Sequence, residues 1–125
     1  MNKKVISIDK TTDTPYSPAI AFGNLLFVSG QIASGKNSLE EEITTALNKL
    51  KSILQSAGSS LECVLKTTVF LKDMKNFNLM NEIYKTYFKA EPPARSCVEV
   101  SRLPFDVNFE IEAIAYIALI NRNLT

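Results

Sequence analysis

PPARSCVEVSRLP, residues 92–104, is the stretch around which the rest of the chain is arranged. The paired prolines halt any helix that precedes them. The run that follows spaces Arg95, Cys97 and Glu99 two apart within an apolar pattern of Val98, Val100 and Leu103. A strand turns alternate residues to one side, so the guanidinium, the thiol and the carboxylate share a face. Such a face is either a locally neutralised surface row or the lining of a pocket for a small anion. Taken alone, the stretch favours the surface row, because cross-strand ion pairs are common and contribute little.

Composition narrows the rest. The 125 residues, 46% of them hydrophobic, make one domain, 1–125, large enough to bury a single core. Fourteen basic and thirteen acidic residues leave a net charge of +1 with no block of like charge, so neither a nucleic-acid nor a membrane partner is advertised. The opening MNKKVISID has too short an apolar run for a signal peptide, the first arginine is Arg95, and no stretch approaches transmembrane length. Cys63 and Cys97 stand far apart without a paired-cysteine motif, which fits free thiols in a reducing compartment, by default the cytoplasm. The chain has no histidine, which removes Ser-His-Asp and Cys-His nucleophiles, the HExxH zinc site and imidazole acid–base steps. Glycine-rich nucleotide loops are missing too. Carboxylate, arginine, amide and hydroxyl groups must carry any chemistry.

In chain order, Lys4 to Ile8 reads as a short strand, followed by an irregular segment from Asp9 to Pro18. Tyr16 sits there between two prolines, and an aromatic anchoring the loop on the core is the plainer reading; a ring presented to a ligand is the other. Ala19 to Phe22 and Leu25 to Gln31 form a hairpin across Gly23-Asn24. Gly30, at the end of the second run, marks a bulge or a close backbone approach, and Ser29 beside it is a ligand-facing hydroxyl or a satisfied strand end. Ser38-Leu39-Glu40-Glu41 has the form of a capping box, and Ile43, Ala46, Leu47, Leu50, Ile53, Leu54 and Ala57 follow at helical spacing until Gly58. That helix covers a sheet. Val64 to Lys72 is a β-branched, nearly central strand. A second helix from Phe77 to Phe88 carries Asn81 on the stripe of Phe77, Tyr84 and Phe88. An amide on that stripe either satisfies a nearby loop or orients a ligand.

The last run, Val107 to Ile120, is apolar at every odd position, so that face lies beneath the helices. Its even face begins polar with Asn108, Glu110 and Glu112 and turns apolar at Ile114, Tyr116, Ala118 and Ile120. An apolar patch away from the helices calls for cover by another subunit, so a homo-oligomer is expected. Glu110 and Glu112 stand roughly 7 Å apart by strand rise, too few carboxylates for a convincing metal site. If this strand pairs with that of Arg95, one of them approaches the guanidinium. The order predicts an α+β fold: a single mixed sheet with both helices on one face, and hairpin joins at both ends of the chain.

Pro15-Tyr16-Ser17, Val28-Ser29-Gly30-Gln31, Lys66 to Asp73 (KTTVFLKD), Pro93 to Val100 (PARSCVEV), Arg102-Leu103-Pro104 and Glu110 to Ala113 (EIEA) resemble, in order, the successive motifs of the RidA/YjgF/UK114 family of enamine/imine deaminases. The resemblance implies a chorismate-mutase-like fold, a homotrimer with clefts between subunits, and hydrolysis of 2-imino acids such as 2-aminoacrylate, 2-iminobutanoate and 2-iminopropanoate to 2-oxo acids and ammonia. It implies that Arg95 binds the substrate carboxylate and Glu110 positions or deprotonates water, while Tyr16, Ser29, Asn81 and Cys97 line the pocket. No cofactor and no metal are implied. Thr14 and Pro18 stand where the family often has glycine and glutamine, Pro92 stands where an aromatic is frequent, and the segment after Gln31 is short, which bears on side-chain preference. Two other classes compete: an RNA-acting protein, disfavoured by the near-neutral charge, and a binding or holdase module without turnover.

Overall fold

The computed structural model describes residues 2–8 and 13–118. The expectations for residues 9–12, Leu119 and Ile120 lie outside that range. The elements run β1 (Lys3–Ile6), β2 (Ala19–Phe22), β3 (Leu25–Gln31), α1 (Leu39–Ser56), β4 (Val64–Leu71), α2 (Phe77–Tyr87), β5 (Ala94–Glu99) and β6 (Phe109–Tyr116), with short 3₁₀ turns before β4, α2 and β6. Among the described residues they make one six-stranded sheet in the order β1-β2-β3-β6-β4-β5. All neighbours are antiparallel except β4 and β5, which the α2 crossover makes parallel. The expected α+β fold, two helices on one face of a mixed sheet, is what forms.

Local chemistry explains the elements. Gly23 takes φ 63° in the β2–β3 hairpin, a conformation that glycine adopts without steric cost. Ser38 caps α1 by accepting the Glu41 N–H, while Glu41 Oε1 accepts the Asn37 N–H at 2.9 Å. Ile43, Ala46, Leu47, Leu50 and Leu54 are fully buried against Leu26, Val69, Phe109, Ile111 and Ala115 of the sheet, the alternation read from the odd positions of the last run. α2 docks through Met80 and through a buried hydrogen bond, 2.7 Å, between Tyr84 Oη and Thr67 Oγ1 of β4.

One connection differs from the sequence reading. β5 and β6 do not form a hairpin, because β4 lies between them. The joining segment instead turns through Phe105 and Asp106, both at φ 56°. For a bulky aromatic this is a strained conformation that costs about 1–2 kcal/mol, and the Phe105 ring is 83% exposed, so burial does not repay it. Asp106 is held by Lys72 at 2.7 Å. Phe105→Asn should therefore raise stability by roughly 1 kcal/mol in urea unfolding, since asparagine visits this region more readily. A loss of stability would show that the ring is covered in the assembled protein.

The sheet face away from the helices bears Leu25 opposite Tyr116 and Phe27 opposite Ile114, and Phe22 and Val5 extend it towards the β1 edge. Phe27 is 42% and Tyr116 40% exposed. The apolar patch read from the last strand is thus real and broader than that strand.

Candidate functional site

The sheet register sorts the candidate residues into two groups. Arg95 and Cys97 of β5 stand beside Thr67 and Val69 of β4, on the helix-covered face. Glu110 and Glu112 of β6 stand beside Phe70 and Thr68, on the opposite face. The approach of Glu110 to Arg95 expected from strand pairing does not occur within one chain, because β4 intervenes and the two side chains point to opposite sides.

The first group is built on α2. The Thr67–Tyr84 bond fixes the helix, and one turn earlier Asn81 Oδ1 accepts from Arg95 Nη1 at 2.8 Å. The guanidinium carbon lies 4.8 Å from the Tyr84 ring centre and 5.7 Å from that of Phe77, so the cation rests on aromatic faces. Among the described residues no carboxylate lies within ion-pair distance of Arg95. Of its five N–H donors, those on Nη1 meet Asn81 and, at 4.0 Å, the Met80 sulfur, leaving Nη2 and Nε for a ligand. Asn81 therefore belongs to the positive group rather than to a loop. Cys97 is half-buried; burial pushes its thiol up, and the Arg95 charge only partly opposes this. It is a thiol at neutral pH, and a small neighbour of the cation.

The second group is built on a bulge. β3 and β6 pair at Val28–Ala113 and again at Gln31–Ile111, so Ser29 and Gly30 together face one residue of β6. The Ser29 N–H donates to Pro18 O at 3.0 Å and its hydroxyl to Ser17 O at 2.6 Å. Both bonds tie the Tyr16 loop to the sheet. Tyr16 itself is 63% exposed, so the ring does not anchor the loop on the core as the plainer reading held. Ser29 is the anchor instead. A Cβ on Gly30 would collide with Oε2 of Glu110 and lie 2.8 Å from its Cδ, which makes Gly30 the close approach that the glycine suggested.

Burial, and then the charge of Glu112, pushes the Glu110 carboxyl above its ordinary value. The folded chain holds this proton to higher pH than the unfolded chain, so the contribution favours folding below the ordinary carboxylate range. It is lost as pH rises through the raised value. The stability of Glu110→Gln relative to the native chain should accordingly grow from acid to neutral pH in urea titrations. A difference constant with pH would mean that Glu110 is solvated like a surface carboxylate.

A wide hollow lies elsewhere. It measures about 820 Å³, between α1 and the segment after α2, and is lined by Asn48, Lys51, Gln55, Tyr87 and Glu91 among others, with none of the six candidate residues. A shallower depression of about 360 Å³ lies on the open face between Phe27, Lys66, Glu112 and Ile114. An open trough in a single chain marks the chemistry less reliably than converging polar groups do. Among the described residues, no group of three or more histidine, cysteine, aspartate or glutamate side chains is placed to hold a metal ion.

A family model described as Endoribonuclease L-PSP matches residues 8–117. A RutC family protein of Pyrococcus abyssi is 46% identical over 125 residues, covering 93% of this chain and 98% of the relative. The chain belongs to the RutC family, the RidA/YjgF/UK114 group. Relatives in this family include the mouse protein named 2-iminobutanoate/2-iminopropanoate deaminase, 42% identical over 90% of each chain. The human protein of the same name is 40% identical, covering 90% of this chain and 89% of its own. The crystal structure of E. coli TdcF with bound serine superposes with a TM-score of 0.83 at 36% identity, covering 92% of this chain and 99% of that one. In this RutC family chain, the sequence reading missed how Phe77 and Tyr84 serve the site. The aromatic pair was legible as a helix stripe, but nothing in its spacing told that a cation would rest on it.

Proposed function

We propose that the protein is a hydrolytic deaminase converting 2-imino acids, with their enamine tautomers, to 2-oxo acids and ammonia. The observation that carries this is Arg95: a guanidinium held by Asn81 and two aromatic rings without a carboxylate partner among the described residues, in a chain of the family that includes proteins named for this activity. The planar fork suits bidentate binding of a small carboxylate. Serine bound to the similar TdcF is a small acid of that kind.

The opposite facing of the two groups implies that a site containing both is completed by a second chain, with Arg95, Asn81 and Cys97 from one protomer and Glu110, Ser29 and Tyr16 from its neighbour. The exposed apolar face supplies the surface for such an assembly, and a homotrimer is the form expected of this family. In the shared cleft, Arg95 holds the substrate carboxylate. Glu110 takes a proton from water as the water oxygen bonds to the imine carbon and returns it to nitrogen, giving a carbinolamine; it then carries the carbinolamine's hydroxyl proton to nitrogen as the C–N bond breaks, the C=O bond forms and ammonia leaves. A carboxyl raised towards neutrality suits both transfers. Tyr16 walls the cleft. Two thiols without a disulfide partner suit the reducing cytoplasm.

Adding the protein to a threonine or serine dehydratase reaction should speed release of the 2-oxo acid. No acceleration by the intact assembly would overturn the reading. Cys97→Ser should keep at least about a third of the activity, because no base stands beside the thiol to make it a nucleophile. Complete loss with normal folding would instead require a covalent step. The name of the matching family model favours RNA cleavage as a second reading. A net charge of +1 weighs against it, and salt-dependent RNA cleavage lost in Arg95→Ala would restore it.

A further inference from the structure

Glu42 is the one carboxylate among the described residues that is buried, at 7% exposure, in the first turn of α1. It lies on the helix's apolar stripe, four residues before Ala46 and eight before Leu50, which is where the sequence could have flagged it. Its Oε2 accepts the backbone N–H of Asn108 at 2.7 Å and that of Phe109 at 3.0 Å, and its Oε1 accepts the Asn108 side-chain amide at 2.9 Å. None of the ion pairs among the described residues involves it. Three N–H donors and the positive end of α1 surround its two oxygens.

All three donors belong to the two residues that precede Glu110. From the other side, the Asn108 carbonyl accepts the Lys72 N–H at 3.1 Å, at the end of β4. Residues 108 and 109 are thus clamped between α1 and β4 just before the chain projects Glu110 to the opposite face. In a strand the orientation of one peptide fixes the direction of the next side chain. A carboxylate is a costly group to bury where ordinary strand pairing already holds Phe109 against Leu71. We infer that Glu42 is a positioning residue, whose clamp on Asn108 and Phe109 aims the Glu110 carboxylate along Gly30 into the cleft. The inference rests on the deaminase reading for its consequence in catalysis, but not for its geometry.

The test uses the full chain and two measurements: steady-state imine hydrolysis, and titration of the Glu110 carboxyl followed by ¹³C NMR, both well below the melting temperature of each variant. Glu42→Ala removes every acceptor. It should lower kcat about 10- to 100-fold with KM changed by less than about threefold, and the Glu110 titration should move down towards that of an ordinary carboxylate as the side chain loosens into solvent. Glu112, the other carboxylate facing Glu110, is the same in all variants. Glu42→Gln should restore kcat to within about threefold, because its Oε1 can accept both backbone N–H groups while the Asn108 amide turns over to accept from Nε2. A folded Glu42→Ala protein with native kcat and native Glu110 titration would overturn the inference and leave Glu42 as a helix–sheet tie only. Should Glu42→Ala fail to fold, Glu42→Asp, which withdraws the carboxylate by one methylene, is read in the same two ways. If the native protein hydrolyses no imine, the deaminase reading fails by itself, and the titration alone decides: a downward shift supports the clamp and an unchanged titration overturns it.

Discussion

Replacing Arg95 by alanine should cut the acceleration of imine hydrolysis by at least about 100-fold in kcat/KM, the loss expected when one partner of a desolvated charge pair is truncated. The fold should survive. Among the described residues, Arg95 makes no ion pair within its own chain, and the Asn81 oxygen that accepts from it at 2.8 Å can turn to water. Arg95→Lys separates charge from shape. An ammonium keeps the attraction for a carboxylate but loses the planar fork and much of the stacking on Tyr84 and Phe77. It should recover only a small part of the rate, mainly through a higher KM. Native activity in folded Arg95→Ala would remove the anion-binding role on which the proposed function stands.

Gly30→Ala should be nearly as damaging while leaving stability close to native. The backbone of Gly30 is not in the left-handed region, so alanine meets no conformational penalty there. What its Cβ meets is the end of the Glu110 side chain, a flexible group that swings aside at little energetic cost. Moving a catalytic carboxylate by an ångström is worth about 100-fold in rate. A large fall in kcat with a small change in melting temperature is therefore expected, and the combination matters more than either part. An active Gly30→Ala protein would mean that Glu110 does its work from another position, or not at all.

How much of this could be read in the sequence depended on how local the cause was. The β2–β3 hairpin, the Ser38 cap and the alternation of the last strand were legible because each rests on residues within a turn or two of one another. Strand order was not. A pattern of apolar alternation says which face a strand buries but not which neighbour it takes, and so the insertion of β4 between β5 and β6 was missed. That one difference separates Arg95 from Glu110 and turns a single expected cluster into two. Tyr16 escaped for a related reason. An aromatic in a loop reads as an anchor on the core, and only the structure shows its ring exposed. Glu42 sat in plain sight on an apolar stripe, but a glutamate in a first turn is usually accounted for by the helix dipole, and its partners are more than sixty residues away.

The claim on which the account turns is that one chain supplies the arginine and another the glutamate of each working site. Mixing Arg95→Ala with Glu110→Gln protein, after dissociation and reassembly together, tests it most directly. Each variant alone should be inactive. In randomly mixed cyclic assemblies, about one cleft in four would pair an intact Arg95 with an intact Glu110, so roughly a quarter of native activity should return. Mixed assemblies that form and stay inactive would contradict the shared site.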